Sequence, residues 1–333
     1  MNKSLSFKKL LENFTNLLNS YGDIEYGRKL NPVDAFFAYR ILLGRNPHVD
    51  SELPYLLSDN ETYREFISRL LNSDEFKKVA MFMPPNKELM IKLNDFRFWF
   101  NTCDKEMGVQ MALGNYEPKS VELLIKTIKP GMKCIDAGAQ TGFFTCIMAH
   151  YVGGTGKVYA FEPMPSNYDL LIKNITENNF QDRVQPFQLA CSNSQSVIIA
   201  SKVANMYVAG EVEAGEKVTM ESVRVDDIID EPIDIIKIDI EGHEPAGIEG
   251  MRTLILENKP IIFSEVNEYW LRTCSNSNSK EYVELLSSIG YEIYNVENLN
   301  SPVTARSLKM DILDTMDIVA LPAGSSLKNI LNK

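Results

Sequence analysis

Apolar positions in this chain come in two spacings, and the two alternate. Between Lys133 and Pro165, the short run Cys134-Ile135 leads into Asp136 and the turn Gly138-Ala139-Gln140-Thr141-Gly142. Phe144, Ile147, Met148 and Tyr151 then recur at i, i+3, i+4 and i+7, which predicts a helix. Gly153-Gly154-Thr155-Gly156 stops that helix, and Val158–Phe161 reads as a second strand ending on Glu162-Pro163. The unit is strand, helix, strand, with an acid at the tip of each strand. Units of this kind hold a nucleotide-like ligand across the carboxyl ends of their strands.

Upstream the spacing is helical. Leu5, Phe7, Leu10, Leu11, Phe14, Leu17 and Leu18 make residues 4–20 amphipathic, better suited to docking on their own domain than to lying on a membrane. Asn31-Pro32 opens a helix through Phe36, Phe37, Tyr39, Ile41 and Leu43 that stops at Gly44. Ser58-x-x-Glu61 is a capping box, and the helix behind it places Tyr63, Phe66, Ile67, Leu70 and Leu71 on one side. Pro84-Pro85 marks the best boundary, so residues 1–85 read as a small all-helical module and 86–333 as the main domain. From Lys87 to Pro130 the pattern is taken as mostly helical, with two helices covering the sheet edge and roofing the ligand.

Downstream the alternation resumes. Ser166-x-x-Asp169 is expected to cap a helix through Leu170, Leu171 and Ile175, and Val184–Leu189 reads as a strand running into Ala190. Residues 193–225 have the character of an inserted hairpin or flap. Ile233–Ile240 is rich enough in isoleucine for a central strand covered on both faces. It runs into Asp239-Ile240-Glu241-Gly242-His243-Glu244, and Pro245 begins a helix. Ile261–Phe263 leads to Glu265, a helix follows through Tyr282, Leu285, Leu286 and Ile289, and strands Tyr291–Val296 and Asp317–Leu321 close the pattern. The expected fold is α/β: a doubly wound, mostly parallel, Rossmann-like sheet with an antiparallel terminal strand, plus the N-terminal helical module.

Composition narrows the partners. The chain has 333 residues, enough for about two domains. A net charge of −11 argues against nucleic acid, whose phosphates need a basic face. No apolar run is long enough to span a bilayer, and the start lacks the continuous apolar stretch of a secretory signal. Five scattered cysteines without C-x-x-C suit a reducing, cytoplasmic setting. A homo-oligomer is compatible with the sequence.

The spacing of the turn then selects the ligand. A dinucleotide fingerprint needs glycines at G-x-G-x-x-G so that backbone can approach a pyrophosphate. Here the middle position is Gln140 and the last is Phe143. What survives, Asp136-x-Gly138-x-x-x-Gly142, admits a ligand without a diphosphate. Glu162 stands where an acid pairs with ribose hydroxyls. A nucleoside without diphosphate, among acids suited to a cation, reads as S-adenosylmethionine.

Gly114-Asn115-Tyr116-Glu117-Pro118, Ile135–Gly142, Ala160–Pro165, Lys237–Glu244 and Pro260–Ile262 leading to Glu265 together resemble the FkbM family of S-adenosylmethionine-dependent methyltransferases, in the family's order. The resemblance runs from about Asp104 to Val296. Gln140 and Val225 are mild departures from its pattern. It implies a class I methyltransferase fold, oxygen as the acceptor atom, and a role for Tyr116 and Glu117 in closing over the methionine end. Residues 38–76 resemble a small helical module that recurs in bacterial surface-glycan enzymes. That implies docking to glycan-assembly proteins, or presentation of substrate.

Methyl transfer needs acceptor, methyl and sulfur held in line, and a group to take the acceptor's proton. Asp136 and Gly138 are expected at the methionine moiety, Glu162 at the ribose and Ala190 beside the adenine, with Gln140, Gly142, Pro163 and Asp239 completing the cofactor site. Asp239, at the tip of the central strand, is either a catalytic acid beside the methyl or the partner of Lys237 in a structural pair. His243 directly precedes a helix N-terminus, a position that favours neutral imidazole, and is the candidate base. Glu265 would hold the acceptor hydroxyl. Asp239 and Glu265 could jointly hold Mg²⁺, although nothing in the spacing requires a metal. His150, in an apolar helix, reads as packed or surface, and His48 is assigned nothing. The function expected is O-methylation of a glycan, nucleotide sugar or related metabolite. N-methylation of an amino group is the nearest rival, and a non-catalytic cofactor-binding protein the remote one.

Overall fold

The computed structural model describes residues 116–203, 206–209 and 217–325, together with 65, 66, 69, 70, 73, 88–93 and 96–101. The helices expected at 4–20 and 31–43, the capping box at Ser58, His48, the boundary at Pro84-Pro85 and Gly114-Asn115 lie outside the described residues. The chain divides into two compact units, Met1–Pro118 and Lys119–Lys333.

In the first unit, residues 65, 66, 69 and 70 are helical, with Phe66 and Leu70 buried. The stretch after Lys87 corrects the helical expectation. Strands β1 (Glu88–Leu93) and β2 (Phe96–Asn101) form an antiparallel hairpin. Phe96, Phe98 and Phe100 are buried while Arg97 is exposed, which is the period-two alternation of a strand.

The second unit opens with helix α1 (Pro118–Thr127), then strand β3 (Lys133–Ala137), α2 (Phe143–Val152), β4 (Lys157–Phe161), α3 (Pro165–Glu177) and β5 (Val184–Phe187). A short β6 (Ala190–Cys191), then β7 (Ser196–Val203), β8 (Met206–Ala209) and β9 (Lys217–Val223) make a separate four-stranded sheet, so the expected hairpin insert is a small sheet. The chain returns through β10 (Ile235–Ile238), α4 (Glu244–Gly250), α5 (Arg252–Asn258), β11 (Ile261–Asn267), α6 (Glu268–Ser275) and α7 (Ser279–Ser288). It ends in β12 (Tyr291–Asn295), β13 (Asn298–Val303) and β14 (Thr315–Pro322).

The main sheet has eight strands in the order β13-β12-β14-β11-β10-β3-β4-β5. β11, β10, β3, β4 and β5 run parallel, and β14, β12 and β13 pair antiparallel. This is the expected doubly wound α/β sheet. β3 and β10 are buried almost throughout, as strands covered on both faces must be. The chain builds outward from β3 to β4 and β5, then crosses back to β10 and β11 on the other side. The strand order therefore reverses between β3 and β10, and ligands of open α/β sheets bind at such a reversal.

Two boundaries shift. α3 starts at Pro165 with Met164 in the capping position and proline at its first turn, so Ser166 is already inside the helix. The central strand stops at Ile238, and Asp239 and Ile240 belong to the loop beyond it.

Candidate active site

The turn after β3 is built from left-handed residues: Gly138 at φ 87°, Gln140 at φ 50° and Gly142 at φ 90°. They fold the chain over the strand ends, so that Gly138 N and Ala139 N donate to the Phe161 carbonyl at 3.0 and 2.9 Å. A Cβ on Gly142 would meet Leu171 Cδ1 at 2.7 Å. Asn174 of α3 donates from Nδ2 to the Thr141 carbonyl at 2.7 Å and fixes the far side of the turn.

Glu162 follows β4 and is buried. Its Oε2 accepts from Gln140 N at 2.9 Å, and its Oε1 from Met164 N at 2.8 Å. Burial pushes the carboxyl up to about 7, opposed by those two N–H donors. The Asn167 side chain bonds to it as well, which leaves roughly one of a carboxylate's four acceptor sites. The group can therefore pin the turn and still accept from a hydroxyl of a ligand. Pro163 and Ala190 are half-buried, and Ala190 packs against the small cluster of Met164, Ala200 and Met220.

Asp136 is buried in β3 and accepts from the Thr145 hydroxyl at 2.5 Å. Burial raises its carboxyl, with Lys237 pulling the other way. The β3–β10 register places Lys237 opposite Asp136. Lys237 donates from Nζ to Asp239 Oδ2 at 3.0 Å and lies 4.3 Å from the centre of the Phe144 ring. The Lys–Asp pair thus forms, and its aromatic neighbour favours the buried ammonium. Its two ends differ: the Asp239 side chain is 17% exposed and that of Lys237 is 8% exposed.

Beyond β10 the loop is sharply bent, with Glu241 at φ 56° and Gly242 at φ 88°. His243 caps α4 and is half-buried. Glu244, which sequence reading passed over, is 2% exposed, and its Oε1 accepts from Ile240 N at 2.9 Å and Gly242 N at 3.2 Å. Its available signal was an acid at the first position of a helix, a placement the helix dipole favours.

The registers bring further acids together. Ile238 pairs with Ser264, so Asp239, the next residue, stands beside Glu265, and Glu265 pairs with Asp317 of β14. Asp317 accepts from the Ser120 hydroxyl at 2.9 Å. Burial, then the negative charges of Asp239 and Glu241, push the Glu265 carboxyl up to about 10. Burial, then Asp239 and Glu244, push Glu241 to about 8. Among the described residues, no group of three or more His, Cys, Asp or Glu is placed to hold a metal ion.

Asp136, Gly138, Gln140, Gly142, Glu162, Asp239, His243 and Glu265 therefore all belong to the turns and strand ends at the carboxyl edge of one sheet. Tyr116 and Glu117 close the first unit in the turn before α1, with Glu117 at φ 40°. His150 is on α2, half-buried, its ring edge-on to Tyr151 at 4.9 Å.

Residues 136–293 match the family model described as "Methyltransferase FkbM domain". The chain is 25% identical to methyltransferase sdnD of Sordaria araneosa over 173 residues, covering 41% of this chain and 65% of that protein. It is 36% identical to protein-L-isoaspartate O-methyltransferase 2 of Arabidopsis thaliana over 58 residues, 17% of this chain and 19% of the relative. The chain thus spans less than two-thirds of either relative. Among solved structures, the methyltransferase FkbM of Methylobacillus flagellatus KT is similar with a TM-score of 0.39 and 17% identity, over 66% of this chain and 54% of that one.

Proposed function

We propose, from the match of residues 136–293 to a methyltransferase FkbM domain, that this protein transfers a methyl group from S-adenosylmethionine to a hydroxyl of a glycan, nucleotide sugar or related metabolite. The observation that carries the reading is the bond from Gln140 N to Glu162 Oε2. It ties the turn that lacks a pyrophosphate cradle to the acid placed for a ribose. The abundance of carboxylates at this edge suits a ligand bearing a sulfonium and an ammonium.

S-adenosylmethionine, when bound, supplies the methyl group already activated, so the protein's work is placement and proton transfer. Asp136 and Gly138 flank the methionine portion, and Gln140 and Gly142 shape the turn beneath it. Glu162 accepts from a ribose hydroxyl, Ala190 borders the adenine, and Pro163 belongs to the same cofactor site. Tyr116 and Glu117 are assigned to the methionine end by family resemblance. Asp239 faces the cleft from the strand-order reversal, Glu265 holds the acceptor hydroxyl, and His243 takes its proton as the oxygen–carbon bond forms. The sugar-linked acceptor is favoured by the resemblance of the N-terminal residues to a module of glycan enzymes.

Calorimetry with S-adenosylmethionine and its demethylated product tests the cofactor. Mass spectrometry of candidate acceptors after incubation with isotopically labelled cofactor tests the transfer. No heat with either form would end the reading. A second reading, N-methylation of an amino group, is favoured by one observation: Asp239, in the loop after β10, stands beside Glu265, which pairs with Asp317 of β14, and a cationic amine there would offset the burial and negative charge that raise the Glu265 carboxyl. Hydroxyl and amino forms of one acceptor, assayed side by side, separate the two.

A further inference from the structure

We infer that Glu244 is the positioning residue of this site: its carboxylate holds the loop from Asp239 to His243 in the bend that presents both residues to the cleft. The bend is not one the chain adopts freely. Glu241 has a side chain and a positive φ, and Gly242 follows it in the same left-handed region. Residues held there persist only where their surroundings over-determine them.

The surroundings do so from three sides. Gly138 crowds one end, with no room for a side chain beside the Asp239 carbonyl, and Asp239 N donates to the Ala137 carbonyl at 3.0 Å. Gly242 is pressed against the Trp270 carbonyl, where a Cβ would lie at 2.3 Å, and the Ser275 hydroxyl donates to the Gly242 carbonyl at 2.5 Å. Glu244 fills the inside. Ile240 N and Gly242 N flank the left-handed Glu241 and converge on one oxygen, Oε1, as backbone donors of a bent loop converge on an anion.

The other oxygen argues for placement over stability. Glu244 Oε2 is buried without a hydrogen-bond partner. A buried carboxylate with one oxygen unsatisfied is a costly way to brace a fold. Burial also pushes the carboxyl up to about 7, the mark of a group kept in an unfavourable setting. The purpose assigned to the loop rests on the proposed methyl transfer, whereas the geometry of Glu244 does not.

The test uses the full chain with Glu244→Gln and Glu244→Asp. The first keeps an acceptor oxygen in the Oε1 position, and the second withdraws it by one methylene. Amide exchange of Ile240 and Gly242, followed by NMR, should stay within about threefold of the parent in Glu244→Gln and rise by about tenfold or more in Glu244→Asp. The imidazole signal of His243, one of three histidines, should stay in place in the first variant and move in the second. Affinity for the demethylated cofactor should be unchanged in Glu244→Gln, which leaves the Asp239 loop packed against Gly138. Unchanged exchange in Glu244→Asp, or equal loss of protection in Glu244→Gln, overturns the inference. If Glu244→Asp does not fold, Glu244→Gln decides alone: retained protection and an unmoved His243 support it, and their loss refutes it. Absence of cofactor binding in the parent protein would count against the proposed function and leave the exchange result standing.

Discussion

A Cβ on Gly138 would lie 1.8 Å from the main-chain oxygen of Asp239. The two residues are far apart in sequence and belong to the loops that leave β3 and β10, the strands between which the sheet order reverses. Their contact is backbone on backbone, so neither side can yield by turning a side chain. Gly138 also has φ 87°, a conformation that penalises any other residue. Gly138→Ala is expected to destabilise the protein by more than about 2 kcal/mol, through strain and forced separation of the loops. Chemical denaturation of the variant checks this, and a loss below about 0.5 kcal/mol would contradict the close approach.

Glu162 pins the turn after β3 and is the residue proposed to hold the ribose. In Glu162→Ala the N–H groups of Gln140 and Met164 lose their acceptor, at a cost of about 1–3 kcal/mol if they remain buried. Calorimetry should show cofactor affinity reduced by roughly 10- to 100-fold or more, since hydrogen bonds to a charged group are lost together with the shape of the turn. Normal affinity would remove Glu162 from the ribose.

His243→Ala separates binding from turnover. Affinity for the demethylated cofactor should be unchanged, while kcat falls by about 100-fold or more, the usual contribution of a positioned base. Single-turnover transfer of labelled methyl measures it. Unchanged turnover would shift the proton to Asp239.

The acids at the sheet edge give stability a definite pH dependence. Burial raises Glu162 and Glu244 to about 7, Glu241 to about 8 and Glu265 to about 10, all above the ordinary value of 4.5. With the folded value raised, the folded state holds protons that the unfolded state has released. The stability from these groups is complete below about pH 4.5 and is lost as pH rises through 7 and beyond. Thermal unfolding of the ligand-free protein should therefore give a midpoint that falls from pH 5 to pH 8. Glu265→Gln, which cannot ionise, should raise the midpoint at pH 8 and change it little at pH 5. Equal effects at both values would show that Glu265 ionises normally in the folded protein.

Much of the central architecture was legible because element type is written in local spacing. The apolar pair Cys134-Ile135, the isoleucine-rich stretch Ile233–Ile238 and the helical stripe from Phe144 identify buried strands and a helix without knowledge of their neighbours. The hairpin at Glu88–Asn101 departs from the helical expectation, although its alternation of Phe96, Phe98 and Phe100 is local and present in the chain. β13 had no such signal: Asn298–Val303 is polar and mostly exposed, and forms a strand only because β12 offers it an edge.

The sequence by itself determined the alternation of strand and helix, the acids near the strand ends and the absence of the G-x-G-x-x-G spacing, since each depends on residues close together in the chain. Tertiary structure alone decided that Gln140 N meets Glu162, that Lys237 lies opposite Asp136, and that Glu265 stands beside Asp317. Those relationships follow from strand order and register. A one-residue slip in register reverses the face of every side chain, and nothing in the local pattern states which strand will lie next to which.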